Sequence, residues 1–404
     1  MQMNETPSSN RVHIAFFGRR NTGKSSLVNA VTGQNLAVVS DIRGTTTDPV
    51  YKAMELLPLG PVVIIDTPGF DDSGELGELR VRRTKQVLHK SHAAVLVLDV
   101  NPKSDCPLLP DEQELVGIFI ERKIPYLIVQ NKSDLFDSPP AGVFFKETEI
   151  LPVSAKTGFN INLLKEKIAV MAQPDEPEKR LAADLIRPLD LAVLVIPIDK
   201  AAPKGRLILP QQQVIRDILE AGGAAVTVRE TELKDTLESL GKKPVIVITD
   251  SQAFELVSSV VPQDIPLTSF SILFARYKGF LETAVRGAAA LDTIKDGDKL
   301  LVCEGCTHHR QCDDIGTIKI PRWIKNYSAK EPEFSFCSGG DFPSDLSAYK
   351  LVIHCGACML NDREMHYRRN LAEAQNIPFT NYGTAIAHIQ GILKRSIAML
   401  NIEY

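Results

Sequence analysis

No apolar run in this chain is long enough to cross a bilayer. The longest, such as Leu191–Ile198, fall far short of the roughly 20 residues a spanning helix needs. The opening stretch, MQMNETPSSNR, is polar and lacks the apolar core of a signal segment. Excess charge of one sign is also missing: 46 basic and 50 acidic side chains leave a net charge of -4. A general nucleic-acid binder would be strongly basic, with aromatics set among the cations. Aromatics make up only 6% of this chain, with a single tryptophan. Cysteine is sparse, at seven in 404 residues, but six of them (303, 306, 312, 337, 355 and 358) fall between residues 303 and 358. These features predict a cytoplasmic protein with no membrane or nucleic-acid partner and with reduced thiols. Clustered thiols in that setting point to metal or redox chemistry rather than disulfides. The length suggests roughly two to four domains, and a 44% hydrophobic content supplies ordinary cores.

What is present begins with Val12–Phe17, which reads as a buried strand and runs into Gly18-Arg-Arg-Asn21-Thr22-Gly23-Lys24-Ser25. This is the P-loop spacing. Glycines let the backbone curl so that its N–H groups face phosphate oxygens, Lys24 reaches the β- and γ-phosphates, and the Ser25 hydroxyl ligates magnesium. The helix predicted over Ser26–Val31 offers its positive end to the anion. A second strand, Val62–Ile65, ends in Asp66-Thr-Pro-Gly69, where Asp66 holds magnesium through water and the Gly69 N–H senses the γ-phosphate. A third, Tyr126–Gln130, ends in Asn131-Lys132-Ser133-Asp134. Guanine presents two donors that the Asp134 carboxylate can accept, and adenine does not, so the nucleotide should be GTP. Ser154-Ala155-Lys156 would pack against the base. Motifs in this order, each after a strand, predict a doubly wound α/β sheet over residues 1–172.

The pattern resembles the translation-factor-related GTPases, in the branch that includes MnmE and Era. Gly44-Thr45-Thr46-Thr47-Asp48 is similar to that branch's first switch, with Thr47 in place of arginine. The resemblance implies that Thr45 and Thr46 close on magnesium, so that the predicted magnesium set is Ser25, Thr46 and Asp66. It also places Asn21 where related GTPases bind potassium, and potassium-stimulated hydrolysis follows as an expectation. Phe70 stands where Ras-like proteins carry the glutamine that orients water. Cys106, alone in a Pro-rich loop, reads as an incidental thiol.

Residues 173–188 carry three prolines and many charges, as a linker would. Beyond them, Leu191–Ile198, Ala224–Val228 and Pro244–Thr249 read as strands. They alternate with helical spacing over Gln211–Ala221, Glu232–Leu240 and Gln252–Val260. A small parallel α/β domain over residues 173–265 is predicted, with dimerisation as its role because no catalytic constellation is visible in it.

In residues 266–404, Ile272–Leu291 reads as a long, mostly helical stretch. Lys299–Val302 leads into Cys303-Glu-Gly-Cys306-Thr-His308, and Lys350–Ile353 leads into His354-Cys355-Gly-Ala-Cys358. Two adjacent parallel strands would bring both groups to one crevice. Gly305 and Gly356 would let the backbone approach an inorganic core. Asn361–Gln375 reads as a helix whose Arg368 and Arg369 are solvated surface cations or, alternatively, offset the charge of the inorganic core, and Cys337 reads as a buried or loop thiol. Thiolate and imidazole suit either an iron–sulfur cluster or a zinc ion held by Cys306, His308, Cys355 and Cys358.

Cys-x-His, 45 residues, then His-Cys-x-x-Cys is similar to the signature of the HydF family, the FeFe-hydrogenase maturation GTPases. The resemblance spans essentially the whole chain. It implies three α/β domains, the last holding a 4Fe-4S cluster on Cys306, Cys355 and Cys358. His308 or His354 are candidates for the fourth iron, as are a carboxylate, water or a bound precursor. Cys303 and Cys312 lie outside the motif. The resemblance further implies a transient diiron precursor, radical S-adenosylmethionine maturases and apo-hydrogenase as partners, and homodimers or higher oligomers. The alternative is a GTPase with a structural zinc site, acting in tRNA modification or ribosome assembly.

Overall fold

The computed structural model describes residues 6–33, 48–70, 75–99, 107–136, 142–173, 179–198, 207–306 and 314–402. It divides into two compact units, 1–175 and 176–404.

The first unit is built on seven strands: β1 (Val12–Gly18), β2 (Val50–Leu56), β3 (Gly60–Asp66), β4 (Ala93–Leu98), β5 (Tyr126–Gln130), β6 (Phe144–Phe145) and β7 (Thr148–Pro152). Their order is β2-β3-β1-β4-β5-β7-β6. The central pairs are parallel, while β2 and β6 run antiparallel at the edges. β4 is an unbroken buried run, AAVLVL, as expected of a strand covered on both faces. Neighbouring side chains go to opposite faces. Phe16 packs with Leu27, Val28 and Ile168, and Phe17 with Val116 and Phe119. Burying each such side chain contributes about 1.5–3 kcal/mol. β2 instead alternates, with Tyr51 and Glu55 outward and Lys52 inward. The doubly wound sheet expected from the motifs is therefore present, with a mixed edge.

The second unit carries two four-stranded parallel sheets. In one, β8 (Leu191–Val195), β9 (Ala224–Val228), β10 (Ile246–Thr249) and β11 (Leu267–Ser269) run in the order β11-β10-β8-β9. In the other, β12 (Lys299–Glu304), β13 (Glu333–Ser338), β14 (Leu351–His354) and β15 (Phe379–Asn381) run β13-β12-β14-β15. One apolar core joins the sheets, running from Val193 and Val247 through Leu273 and Phe280 to Leu301 and Val352. The first of these sheets runs on through β11 to Ser269, past the sequence-based boundary at residue 265.

The mostly helical stretch expected over Ile272–Leu291 is two helices, Phe270–Tyr277 and Leu281–Ala288. Gly279, at φ +73°, adopts the left-handed conformation that ends the first piece. The strand expected over Leu191–Ile198 stops at Val195. No helix among the described residues is long and apolar enough to cross a membrane.

Candidate functional site

The nucleotide motifs meet at the carboxyl ends of β1, β3, β5 and β7. Gly18 closes β1, and the helix Lys24–Thr32 begins directly after Gly23. Gly23 has φ +78°, and a Cβ there would meet Asn131 Nδ2 at 2.4 Å. The close approach is functional in form: Asn131 Nδ2 donates to Thr22 O at 2.9 Å and to Gly23 O at 3.3 Å. Asn131 Oδ1 in turn accepts from Ala155 N at 3.1 Å. One asparagine thus ties the P-loop to the two base-recognition loops. Asp134 is held by Ser154 Oγ at 2.6 Å, with Lys156 Nζ 4.0 Å away. The Ser154 hydrogen bond is the main cause keeping this exposed carboxyl below its ordinary range. Lys132 Nζ donates to Asp99 at 2.9 Å. Asn21 sits in the P-loop with φ +62°.

Ser25 Oγ donates to Asp66 Oδ2 at 2.6 Å, so two of the predicted magnesium ligands already face each other. Asp66 is buried, and Oδ1 has no hydrogen-bond partner among the described residues. A buried acceptor left this way costs free energy, and a hydrated magnesium ion would satisfy it. Burial raises the Asp66 pKa, opposed by Lys24, Ser25 and Lys52. Lys52 was not singled out from sequence. It is buried, donates to Asn29 Oδ1 at 2.6 Å and feels Asp66. Its signal was a lysine at an inward position of an alternating edge strand. Thr67 anchors the turn after β3 through Phe16 O at 2.7 Å. Gly69 follows half-buried, and Phe70 packs against apolar core instead of facing a water. Thr45 and Thr46 lie outside the described residues.

The second centre lies where β12 and β14 end side by side. Cys303 pairs with His354 across the two strands, so Cys306 and Cys355 emerge from adjacent positions. The three motif thiols influence one another. Burial pushes Cys306 up, with Cys355 and Cys358 adding to it, and burial pushes Cys358 up to about 12, with Cys355 adding. Cys355 Sγ accepts from Gly305 N at 3.1 Å and from Ala357 N at 3.4 Å. Ala357 adopts φ +58°, an uncommon conformation for a residue with a Cβ, and it turns its N–H toward the sulfur. Backbone donors of this kind favour a thiolate and tune iron–sulfur centres. Among the described residues no three His, Cys, Asp or Glu side chains are grouped to hold a single metal ion.

Two buried cations flank the thiols. Lys278 is lowered to about 8 by burial, with Asp362 and Cys358 opposing the shift. Arg368, expected at the surface, is 1% exposed. Its guanidinium reaches Glu364, Gly339 O and, at 2.9 Å, His354 Nε2. Helix Asp362–Ala374 turns this residue inward, whereas Arg369 stays near the surface beside Glu373. Tyr382, also missed from sequence, is buried with Oη unpartnered among the described residues. Burial chiefly raises its pKa, followed by Cys355 and Glu304.

His354, a candidate for the fourth iron, has both ring nitrogens hydrogen-bonded in this structure. A guanidinium only donates, so Nε2 must be the acceptor and Nδ1 carries the proton. Nδ1 then donates to Cys355 O at 2.9 Å. Both ring nitrogens are committed, and burial beside Arg368 holds the ring neutral, with its pKa lowered to about 3. A Cβ at Gly305 would meet Leu360 Cγ at 2.8 Å, so protein packing also demands the glycine. Gly356 likewise lies against Ser271. His308 and Cys312 lie outside the described residues, as does Cys106.

The model of the hydrogen maturase F tetramerization domain matches residues 282–399, and that of the hydrogen maturase F dimerization domain matches 181–279. The chain belongs to the hydrogen maturase F family. Residues 13–132 of this family member match the model of the 50S ribosome-binding GTPase domain. Curated relatives match in the same region. The tRNA modification GTPase MnmE of Methylococcus capsulatus is 34% identical over 152 residues, covering 37% of this chain and 32% of the relative. GTPase Der of Wolinella succinogenes is 34% identical over 184 residues, covering 41% and 37%. The chain thus spans about a third of the length of these relatives. Solved structures that match include a point variant of Aquifex aeolicus Era bound to GDP and AlF4-, at 20% identity and TM-score 0.35, covering 57% of this chain and 98% of that one. The G domain of the T. maritima FeoB iron transporter matches at 23% identity and TM-score 0.30, covering 41% and 100%.

Proposed function

We propose that this chain is a GTP-hydrolysing carrier in FeFe-hydrogenase maturation. It holds a 4Fe-4S cluster on Cys306, Cys355 and Cys358, together with a diiron precursor destined for apo-hydrogenase. The observation that supports the reading is that the strands leading to Cys306 and to Cys355 end side by side, where backbone N–H groups point at the Cys355 sulfur. The chemistry of the residues supports the cluster: soft ligands, two buried cations beside them and an unsatisfied buried hydroxyl. When bound, the cluster supplies an iron with an exchangeable position. Cys306, Cys355 and Cys358 bind it, Lys278 and Arg368 offset the thiolate charge, and the apolar surround excludes water.

At the nucleotide site, Lys24 and the amides of the P-loop hold the phosphates, while Ser25, Thr46 and Asp66 hold magnesium. Asp134 selects guanine, aided by Ser154, and Asn131 fixes both loops at once. The sequence has no Cys-x-x-x-Cys-x-x-Cys run, so the precursor's ligands come from separate radical S-adenosylmethionine maturases. Homodimers, and higher oligomers from them, follow the family's two assembly domains. A monomeric mass at micromolar protein would argue against this.

The test is anaerobic reconstitution followed by iron counting, paramagnetic resonance and phosphate release from GTP. Expected are about four irons, broad absorption near 400 nm and magnesium-dependent hydrolysis. A colourless protein holding one zinc would overturn the carrier role, and salt-sensitive RNA binding would point instead to tRNA modification or ribosome assembly.

A further inference from the structure

Cys303 and Cys337 belong to no ligand set, yet they face each other at the end of the sheet that presents the cluster cysteines. They are register partners on the parallel pair β12 and β13. Their Sγ atoms lie 3.0 Å apart, well inside the ordinary non-bonded contact of two sulfurs. Neighbouring strands run about 4.8 Å apart, within the Cα separation that a disulfide spans. Both residues are free thiols. Cys303 is fully buried, whereas Cys337 keeps 9% of its surface and sits on β13, the edge strand. Arg368 holds the turn just beyond it through Gly339 O. Both sulfurs are buried, the less buried one on the edge strand and the other fixed behind it, which sets their order as attacking and resolving thiol.

We propose that Cys303 and Cys337 form a redox-active dithiol, oxidised reversibly to a disulfide by low-molecular-weight disulfides. Cys337 attacks the reagent, whose S–S bond breaks to release one thiol and leave a mixed disulfide on Cys337. Cys303 then attacks Cys337 Sγ and expels the second thiol. The balance is two protein S–H bonds lost, one protein S–S bond formed, and two electrons and two protons carried away on the two reagent thiols. The side-chain contact with Cys303 holds Cys337 below the ordinary thiol range, which favours it as the attacking sulfur. The bond ties β13 to the strand that leads, three residues later, into Cys306. It takes up oxidant without consuming a proposed cluster ligand.

The experiment uses the full chain, reconstituted anaerobically, treated with glutathione disulfide, alkylated and digested without reduction. Glu304 lies between Cys303 and Cys306, and Lys350 lies between Cys337 and Cys355, so cleavage after glutamate and lysine places the pair on peptides free of the proposed cluster ligands. Expected is a linked Cys303–Cys337 peptide pair, lost after dithiothreitol and absent from Cys337→Ser. Iron content should be equal in Cys337→Ser and the parent chain, which separates the dithiol from cluster binding. If Cys303 and Cys337 both remain alkylated after treatment, or if Cys337 carries only a mixed disulfide, the dithiol is refuted. The linkage is read in the parent chain, so a poorly folding variant does not obscure it. A failure to load cluster would bear on the proposed function and leave the linkage result intact.

Discussion

His354 Nε2 accepts a hydrogen bond from Arg368 Nη1 at 2.9 Å, and this contact makes the motif histidine a brace for the Cys355 loop. Arg368 also serves Glu364 and Gly339 O. Arg368→Met should therefore lower stability by about 3–5 kcal/mol, because it strands a mostly buried carboxylate. Arg368→Lys should not restore it, since one ammonium cannot span the three partners in a fixed fork. Urea unfolding of the metal-free chain checks both; near-parent stability of the lysine variant would contradict the brace.

His354 also sets a pH dependence. Folded, its pKa is lowered to about 3 from an ordinary value of 6.5. Between these values the unfolded chain binds a proton that the folded chain does not. Stability therefore rises with pH across the window and is lost as pH falls from 6.5 toward 3, by at most about 1.4 kcal/mol per unit. His354→Gln, which can still donate to Cys355 O and accept from Arg368, should flatten that slope. Identical slopes for the two metal-free proteins between pH 7 and pH 5 would rule the effect out.

The two centres should be separable by mutation. Lys24→Ala should cut phosphate release by about 10²–10³ while iron content is retained. Cys355→Ala should lose the cluster while hydrolysis continues. Loss of both activities in either variant would argue that neither centre works alone.

Tyr382 Oη is buried without a partner among the described residues. Tyr382→Phe should stabilise the metal-free chain by about 1 kcal/mol, by removing an unsatisfied group. In loaded protein it should leave iron content unchanged and shift the paramagnetic spectrum. Superimposable spectra would mean that the hydroxyl is remote from the cluster.

Asn21 leads to a salt prediction. Hydrolysis should run faster in potassium than in sodium at equal ionic strength, and Asn21→Ala should abolish the difference. Equal rates for the parent chain in the two salts would refute it.

Much of this was written in the order of residues. Gly18 to Ser25, Asp66 and Asn131–Asp134 could be read locally because each phosphate or base contact is made by residues adjacent in the chain, after a strand whose apolar run is visible. The strands before Cys306 and Cys355 were legible for the same reason, since both are short buried runs of parallel-sheet type, whereas their pairing with each other was set by the sheet. The fates of Arg368, His354 and Tyr382 depended on tertiary structure. Whether an arginine faces solvent or a histidine lone pair is free depends on which helix face is covered and on what partner arrives from far along the chain. Cys303 and Cys337 meet only because β13 pairs with β12 in one register, a choice made by the whole sheet and its shared core, which no local pattern encodes.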